Sequence, residues 1–342
     1  MIQNTFRSPS NIALVKYWGK YGTQLPRNPS LSFTLTNAYS ETSALLTDRT
    51  NKGGGIELDF TFEGEKNEAF RQKQVKFLES IVSYFPFLQD YGLKIASSNS
   101  FPHSAGIASS ASAMSALALC LCDIERQLTE NLEVEADFLR KASVISRLGS
   151  GSACRSVYPQ LAAWGETKHI AESSNEYAVP YGHAVDPIFH RFHDDILIVS
   201  SAEKSVSSRA GHALMNGNPF AASRYQQADD NLGELVAAMK TGDLDKFGTI
   251  VENEALTLHA LMMCSSPSFM LLQPNSLAII ERIKAVRERE DLPFYFTIDA
   301  GPNIHFLYPD DVAEKAKSFI DSELRQLCEN GKVVLDHVKL SN

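Results

Sequence analysis

The chain has no basic excess: 32 Lys and Arg stand against 41 Asp and Glu, a formal charge of −9. Nucleic-acid-binding surfaces carry the opposite balance, which argues against that class of partner. A local basic pocket for an anionic substrate stays open. Cysteine is scarce, with Cys120, Cys122, Cys154, Cys264 and Cys328 odd in number and without the paired C-x-x-C spacing of a zinc site. Reduced thiols in a cytosolic protein are the expectation. Long apolar runs are missing too. The most apolar window, residues 113–122, falls short of the roughly 20 residues a membrane helix needs. The N-terminal residues lack the apolar core of a signal peptide. These absences predict a cytoplasmic protein with no membrane anchor and no nucleic-acid partner. There is no internal repeat and no low-complexity tract. What is present is 342 residues with 44% hydrophobic content, enough for two domains or one large composite fold.

The pattern alternates between the two kinds of periodicity. Residues 8–18 and 31–46 carry β-type residues, and Ile56, Leu58, Phe60 and Phe62 alternate as in a half-buried strand. Phe70, Phe77, Leu78, Ile81 and Val82 recur at helical spacing over 66–84. A strand near 93–96 leads to helices over 107–126 and 133–148. A Pro- and His-rich passage over 179–193 precedes a strand at 195–200 and helices at 221–240, 243–263 and 276–289. Strands at 294–299 and 304–308, a helix over 311–329 and a strand over 332–338 complete the pattern. Elements grouped this way predict α+β architecture rather than a regular βαβ array.

Phe101-Pro102-His103-Ser104-Ala105-Gly106-Ile107-Ala108-Ser109-Ser110-Ala111-Ser112 joins a turn, a small-residue loop and a helix start. A helix N-terminus offers unpaired N–H groups and a positive dipole end, so it suits phosphate. Gly106 lets a ligand approach the backbone, and Ser109 and Ser110 supply hydroxyls for phosphate oxygens or Mg²⁺. The same residues also suit a Ser-capped helix buried through its Ala face. Three further segments bear on the choice. Asn11-Ile12-Ala13-Leu14-Val15-Lys16-Tyr17-Trp18-Gly19-Lys20 opens the chain, Gly149-Ser150-Gly151-Ser152-Ala153-Cys154-Arg155-Ser156 lies near its middle, and Thr297-Ile298-Asp299-Ala300-Gly301-Pro302-Asn303 lies near its end.

Taken alone, each segment has a functional and an ordinary reading. Asp299 is a general-base candidate beside a phosphate site or simply a turn cap. Lys16, on the apolar side of a strand with Ile12, Leu14 and Trp18, snorkels outward or is paired inside. Ser150, Ser152 and Arg155 form an anion site, with the Arg fork suited to carboxylate or phosphate, or a flexible helix connection.

In order and residue type, the four segments resemble the mevalonate diphosphate decarboxylases of the GHMP kinase superfamily, over nearly the whole chain. The resemblance implies the two-domain GHMP kinase fold. Residues 1–190 would be the ATP-binding domain, like ribosomal protein S5 domain 2, and residues 191–342 a ferredoxin-like C-terminal domain, with the site in the cleft between them. It implies ATP and Mg²⁺ as cofactors and ATP-dependent decarboxylation of mevalonate 5-diphosphate to isopentenyl diphosphate. Asp299 would be the base or orienting carboxylate for the tertiary hydroxyl, with Lys16 paired to it. Tyr17, Lys20, Ser150 and Ser152 would hold the 5-diphosphate, and Ser208 and Arg209, matching a serine-rich substrate segment of bacterial family members, would also bind substrate. Arg155, steadied by Asn11, would grip the substrate carboxylate. Gly106, Ala108, Ser109, Ser110, Ala111 and Ser112 would bind ATP, with Ser110 a candidate for contact to Mg²⁺ and no metal fixed by the protein alone. Family members are often homodimers, so a second copy is a candidate partner.

His103 and Ile107 depart from the family's usual Thr and Leu, and His212 stands where Met is common. His183, His190 and His193 lie in a loop without metal-ligand spacing, and His259 falls on an amphipathic helix as a packed or capping residue. Two rival readings remain at this level: a decarboxylase of the 5-phosphate or a kinase that stops after phosphorylation, and a non-catalytic nucleotide-binding regulator.

Overall fold

A computed structural model of the chain describes residues 2–50, 54–101, 109–202 and 206–338. The long strands β1 (Gln3–Val15) and β2 (Ser30–Asp48) pair antiparallel along almost their full length. The other edge of β2 is shared. Its far half pairs with β4 (Tyr91–Asn99) and its near half with β5 (Leu161–Trp164). β3 (Leu58–Phe62), parallel to β4, and β6 (Ala178–Pro180), antiparallel to β5, extend this sheet at its two ends. Helices α1 (Glu68–Ser80), α2 (Ser109–Thr129) and α3 (Glu135–Gly149) contribute to a core with Leu46, Phe60, Ile95, Leu117, Leu121 and Ile145.

The second sheet is wholly antiparallel, in the order β8 (Tyr295–Thr297), β9 (Ile304–Pro309), β7 (Phe192–Leu197), β10 (Val333–Val334). It comes with α4 (Ser208–Ala213), α5 (Ala221–Thr241), α6 (Leu244–Met263), α7 (Pro274–Glu290) and α8 (Ala313–Phe319). The architecture is α+β, as the pattern predicts. Among the described residues no helix is long and apolar enough to cross a membrane.

The two sheets share a core. Phe33 of β2 lies 5.7 Å from Phe192 and 6.1 Å from Phe247, and Phe189 packs against both, at 5.4 and 5.0 Å. This aromatic cluster explains a change of pattern in β1. Residues 3–7 alternate in exposure, while residues 8–15 are buried on both sides. A strand covered on both faces loses its alternation. The strand ends at Val15, so Lys16, expected within it, sits just past its end at the bottom of a cleft.

Two other expectations change. The helix over 311–329 runs as α8, then a π turn at Ile320–Leu324 and short 3₁₀ turns. The wider turn still keeps Ala316, Phe319, Ile320 and Leu324 inward, so the apolar spacing gives no warning of it. The final strand is only two residues long. The chain instead turns Asp336 into the first half, where its carboxylate accepts the backbone N–H groups of Thr36, Asn37 and Ala38 at 2.9, 2.8 and 2.6 Å.

Candidate active site

The cleft has a volume of about 440 Å³ and is walled by pieces from all along the chain. Lys16, Tyr17, Trp18 and Lys20 come from the end of β1 and the turn after it, and Ser109 and Ser110 from the start of α2. Ser150, Ser152 and Arg155 come from the turn after α3, Ser208, Arg209 and His212 from α4, and Asp299 from the loop after β8. Local backbone freedom makes this assembly fit. Gly19 has φ +97°, and a Cβ there would stand 2.4 Å from Tyr225 Oη. A Cβ on Gly151 would meet Tyr17 Oη at 2.9 Å and Trp164 at 3.0 Å. Glycine is what these close approaches allow.

Lys16 and Asp299, 283 positions apart, form an ion pair of 2.9 Å. The lysine side chain is 1% exposed and the carboxylate 29%, so the pair opens to the cleft on the acid's side only. Burial lowers the Lys16 pKa, and Asp299 opposes the shift. The backbone of Lys16 is fixed from the second half. Its N–H donates to Glu254 Oε2 at 2.8 Å, and its carbonyl accepts from Arg224 Nη2 at 3.1 Å and Asn28 Nδ2 at 3.0 Å. Arg224 and Glu254 are themselves a buried pair, and Asn231 donates to Glu254 Oε1 at 2.6 Å. On the other side, the Asp299 carbonyl is 2.7 Å from the Gly301 N–H and 3.1 Å from His259 Nε2. Asn303 is tied to Ser200, and Ser276 donates to the Pro302 carbonyl at 2.6 Å. The loop carrying the carboxylate is therefore held from α6, from α7 and from the end of β7.

Arg155 is only 2% exposed. Its Nη1 donates to Ser30 Oγ at 2.6 Å and its Nε to Asn11 Oδ1 at 3.2 Å; both partners are neutral. Asn11 is held in turn by Ser156 Oγ at 2.7 Å and the Ser152 carbonyl at 3.2 Å. Among the described residues no carboxylate lies within ion-pair distance of this guanidinium. Burial lowers its pKa and the charge of Asp299 opposes the shift without touching it, so a buried guanidinium with no carboxylate in contact is set for an anion. Tyr17 Oη is likewise buried with no hydrogen-bond partner among the described residues. The pKa of Lys20 is lowered by burial and by the positive charge of Arg209. Among the described residues, four cations thus line the cleft with one carboxylate, in a chain whose net charge is −9.

Ser109 and Ser110 lie on the cleft wall at the start of the 21-residue α2, with Ser110 Oγ 3.3 Å from Ser150 Oγ. Gly106 and Ala108 lie outside the described residues, as does His103. The side chains of Ala111 and Ser112 do not reach the cleft. Both are fully buried, and Ser112 Oγ is 2.7 Å from Ser40 Oγ of the sheet. Of the histidines expected in a loop, His183 and His190 lie in short 3₁₀ turns, the first exposed and the second with Nε2 2.7 Å from the Gly182 carbonyl, while His193 is in β7 and pairs with Asp310 at 2.8 Å. Among the described residues no three His, Cys, Asp or Glu gather as a metal site.

Residues 8–176 match the model of the diphosphomevalonate decarboxylase-like N-terminal domain, and residues 195–339 that of the mevalonate 5-diphosphate decarboxylase C-terminal domain. The diphosphomevalonate decarboxylase of Gibberella zeae is 31% identical, over 90% of this chain and 81% of its own. The chain belongs to the diphosphomevalonate decarboxylase family. The mevalonate diphosphate decarboxylase of Staphylococcus aureus superposes with a TM-score of 0.84 at 28% identity, over 99% of this chain and 96% of the other. A structure described as MDDEF in complex with MVAPP, AMPPCP and magnesium has a TM-score of 0.82 at 29% identity, over 98% and 97% of the two chains.

Sequence reasoning missed Arg224 and Glu254 and underread His259. One signal was available. Glu254 falls on the apolar stripe of α6 with Ile250, Val251, Leu258 and Leu261, where a carboxylate requires a buried partner. Its partner could not be read from spacing.

Proposed function

We propose that the cleft carries out ATP-dependent decarboxylation of mevalonate 5-diphosphate to isopentenyl diphosphate, releasing ADP, phosphate and CO₂. The observation that carries this reading is Arg155, a buried cation on the cleft wall beside the Lys16–Asp299 pair and without a carboxylate partner among the described residues. A substrate with a carboxylate at one end and phosphoryl groups at the other supplies the missing charges.

Asp299 accepts the proton of the tertiary 3-hydroxyl or orients it, and Lys16 favours the ionised carboxylate. Arg155, positioned by Asn11, grips the substrate carboxylate. Tyr17, Lys20, Ser150, Ser152, Ser208 and Arg209 hold the diphosphate at the other end. Fixed at both ends, the substrate presents its hydroxyl to Asp299 with little freedom left to lose. Mg²⁺–ATP, when bound, supplies the phosphoryl group that makes the 3-oxygen a leaving group. Ser109 and Ser110, hydroxyls at a helix N-terminus on the cleft wall, fit such a ligand, and Gly106 and Ala108 are proposed to complete its loop. As the C–O bond at C3 breaks, the carboxylate is lost as CO₂ and its C–C bonding pair becomes the alkene. In this reading the two units are residues 1–190 and 191–342, and the enzyme is cytoplasmic.

The test is CO₂ release from Mg²⁺–ATP with mevalonate, its 5-phosphate or its 5-diphosphate. One fewer phosphoryl group leaves part of the clamp unpaired, at roughly 1.5–3 kcal/mol for each charge-assisted hydrogen bond. The 5-phosphate should therefore have a kcat/KM lower by at least about a hundredfold. Equal or better turnover of the 5-phosphate would overturn the substrate assignment.

A further inference from the structure

His212 lines the cleft, and neither the motifs nor the mechanism uses it. It follows Arg209 by three positions on α4, so the two side chains share a face of that short helix. Gly211 beside it lets α4 press onto Trp18: a Cβ there would come within 2.6 Å of the indole. The imidazole packs against the Tyr17 ring at 4.4 Å and the Trp18 ring at 4.5 Å. Its Nδ1 accepts the Gly19 backbone N–H at 3.0 Å.

That last contact fixes the chemistry of the ring. A nitrogen that accepts a backbone N–H must offer its lone pair, so the proton sits on Nε2 and the ring is neutral. Burial and the nearby positive charge of Lys20 act in the same direction, holding its pKa down at about 3. Nε2 is then a rigid neutral donor on the wall of an anion cleft, and it has no hydrogen-bond partner among the described residues.

We propose that His212 donates its Nε2–H to a phosphoryl oxygen of the substrate and is a further binding residue of the diphosphate site. The proposal rests on the reading that the diphosphate occupies the Tyr17, Lys20, Ser208 and Arg209 side of the cleft. Gly19 is the part that aims the donor: its N–H sets the tautomer, and Tyr17 and Trp18 restrict the ring. A neutral donor adds a directed hydrogen bond to a site already rich in positive charge, without further repulsion toward Lys20 and Arg209.

The experiment compares the wild-type enzyme with His212→Met and His212→Gln. Methionine keeps the packing volume and removes the donor, while the Gln amide restores an N–H near the Nε2 position. The expected result for His212→Met is a KM for mevalonate 5-diphosphate raised about tenfold or more, the loss of one charge-assisted hydrogen bond. Its kcat and its affinity for Mg²⁺ with a non-hydrolysable ATP analogue should stay within a few-fold of wild type. His212→Gln should recover most of the lost affinity. In the ¹⁵N-labelled wild type, the Nε2–H resonance should move on adding mevalonate 5-diphosphate and not on adding the nucleotide. An unchanged KM in His212→Met overturns the proposal. So does a His212→Gln variant as poor as His212→Met, or an Nε2–H resonance indifferent to the diphosphate. A wild-type enzyme that does not turn over the 5-diphosphate overturns the functional reading instead, so the two failures are distinguishable.

Discussion

The Lys16–Asp299 pair invites a double-mutant cycle, because it predicts opposite behaviour for activity and stability. Asp299→Asn removes the candidate base and should lower turnover by about 10²–10⁴-fold. It also leaves Lys16, 1% exposed, without the carboxylate 2.9 Å away. Breaking a fully buried pair typically costs about 3–5 kcal/mol. Asp299 is 29% exposed, so solvent screening reduces this to about 1–3 kcal/mol. At about 2.1 cal/mol/K per residue of unfolding entropy, the loss corresponds to a Tm lower by about 1–4 °C. Adding Lys16→Met removes the stranded charge, so the double variant should regain most of that Tm while remaining inactive.

The pH dependence has a definite sign. Burial already lowers the Lys16 pKa below its ordinary value of 10.5, so between the folded value and 10.5 the unfolded chain binds more protons. Stability contributed by this group rises with pH across that window. Loss of Asp299 removes the opposing influence and lowers the folded pKa further. The Tm deficit of Asp299→Asn should therefore be largest where Asp299 is ionised and Lys16 still protonated, and shrink as the pH rises through the lowered Lys16 pKa of the variant. Scanning calorimetry of the four proteins at several pH values, with CO₂ release in parallel, gives the result. Additive Tm shifts in the double variant, or near wild-type turnover in Asp299→Asn, would refute the reasoning.

Glu254→Gln should lower Tm by about 4–7 °C, since it strands the buried Arg224 at about 3–5 kcal/mol. It should also slow turnover, because Glu254 fixes the Lys16 N–H; a wild-type Tm would refute the role given to the pair. Arg155→Ala should weaken mevalonate 5-diphosphate binding in calorimetry by an amount on the order of 2–5 kcal/mol. Nucleotide binding should change little, and weakened nucleotide binding with unchanged substrate binding would reverse the allocation of the two clamps.

The helices over 221–240, 243–263 and 276–289 were legible because apolar residues at helical spacing face a core whatever that core is. The strand over 294–299 was legible in kind but observed only at Tyr295–Thr297, because Asp299 turns away toward Lys16. The six-residue run Gly106, Ala108–Ser112 read as a single phosphate site. Yet Ala111 and Ser112 follow the helix inward, where Ser112 meets Ser40. A helix turns its side chains through 100° each, so consecutive side chains cannot all face one ligand, whereas the N–H groups of the first turn all point along the axis.

By itself the sequence determined the residue types of the chemistry, their order and the elements that carry them. Glycines, hydroxyls and a few charges at short spacing suffice for that, because backbone freedom and periodicity are local properties. Only the tertiary structure decided which charges meet and how dry they are. Lys16 reaches Asp299 across 283 positions, Arg155 has neutral partners alone, and Arg224 and Glu254 hold the Lys16 backbone from the other half. The strength of a charge pair depends on its separation and on the water around it. Both follow from how the two halves pack, through the shared aromatic core of Phe33, Phe189, Phe192 and Phe247 and the hydrogen bonds that hold Lys16 and Asp299 in place, contacts no local pattern records.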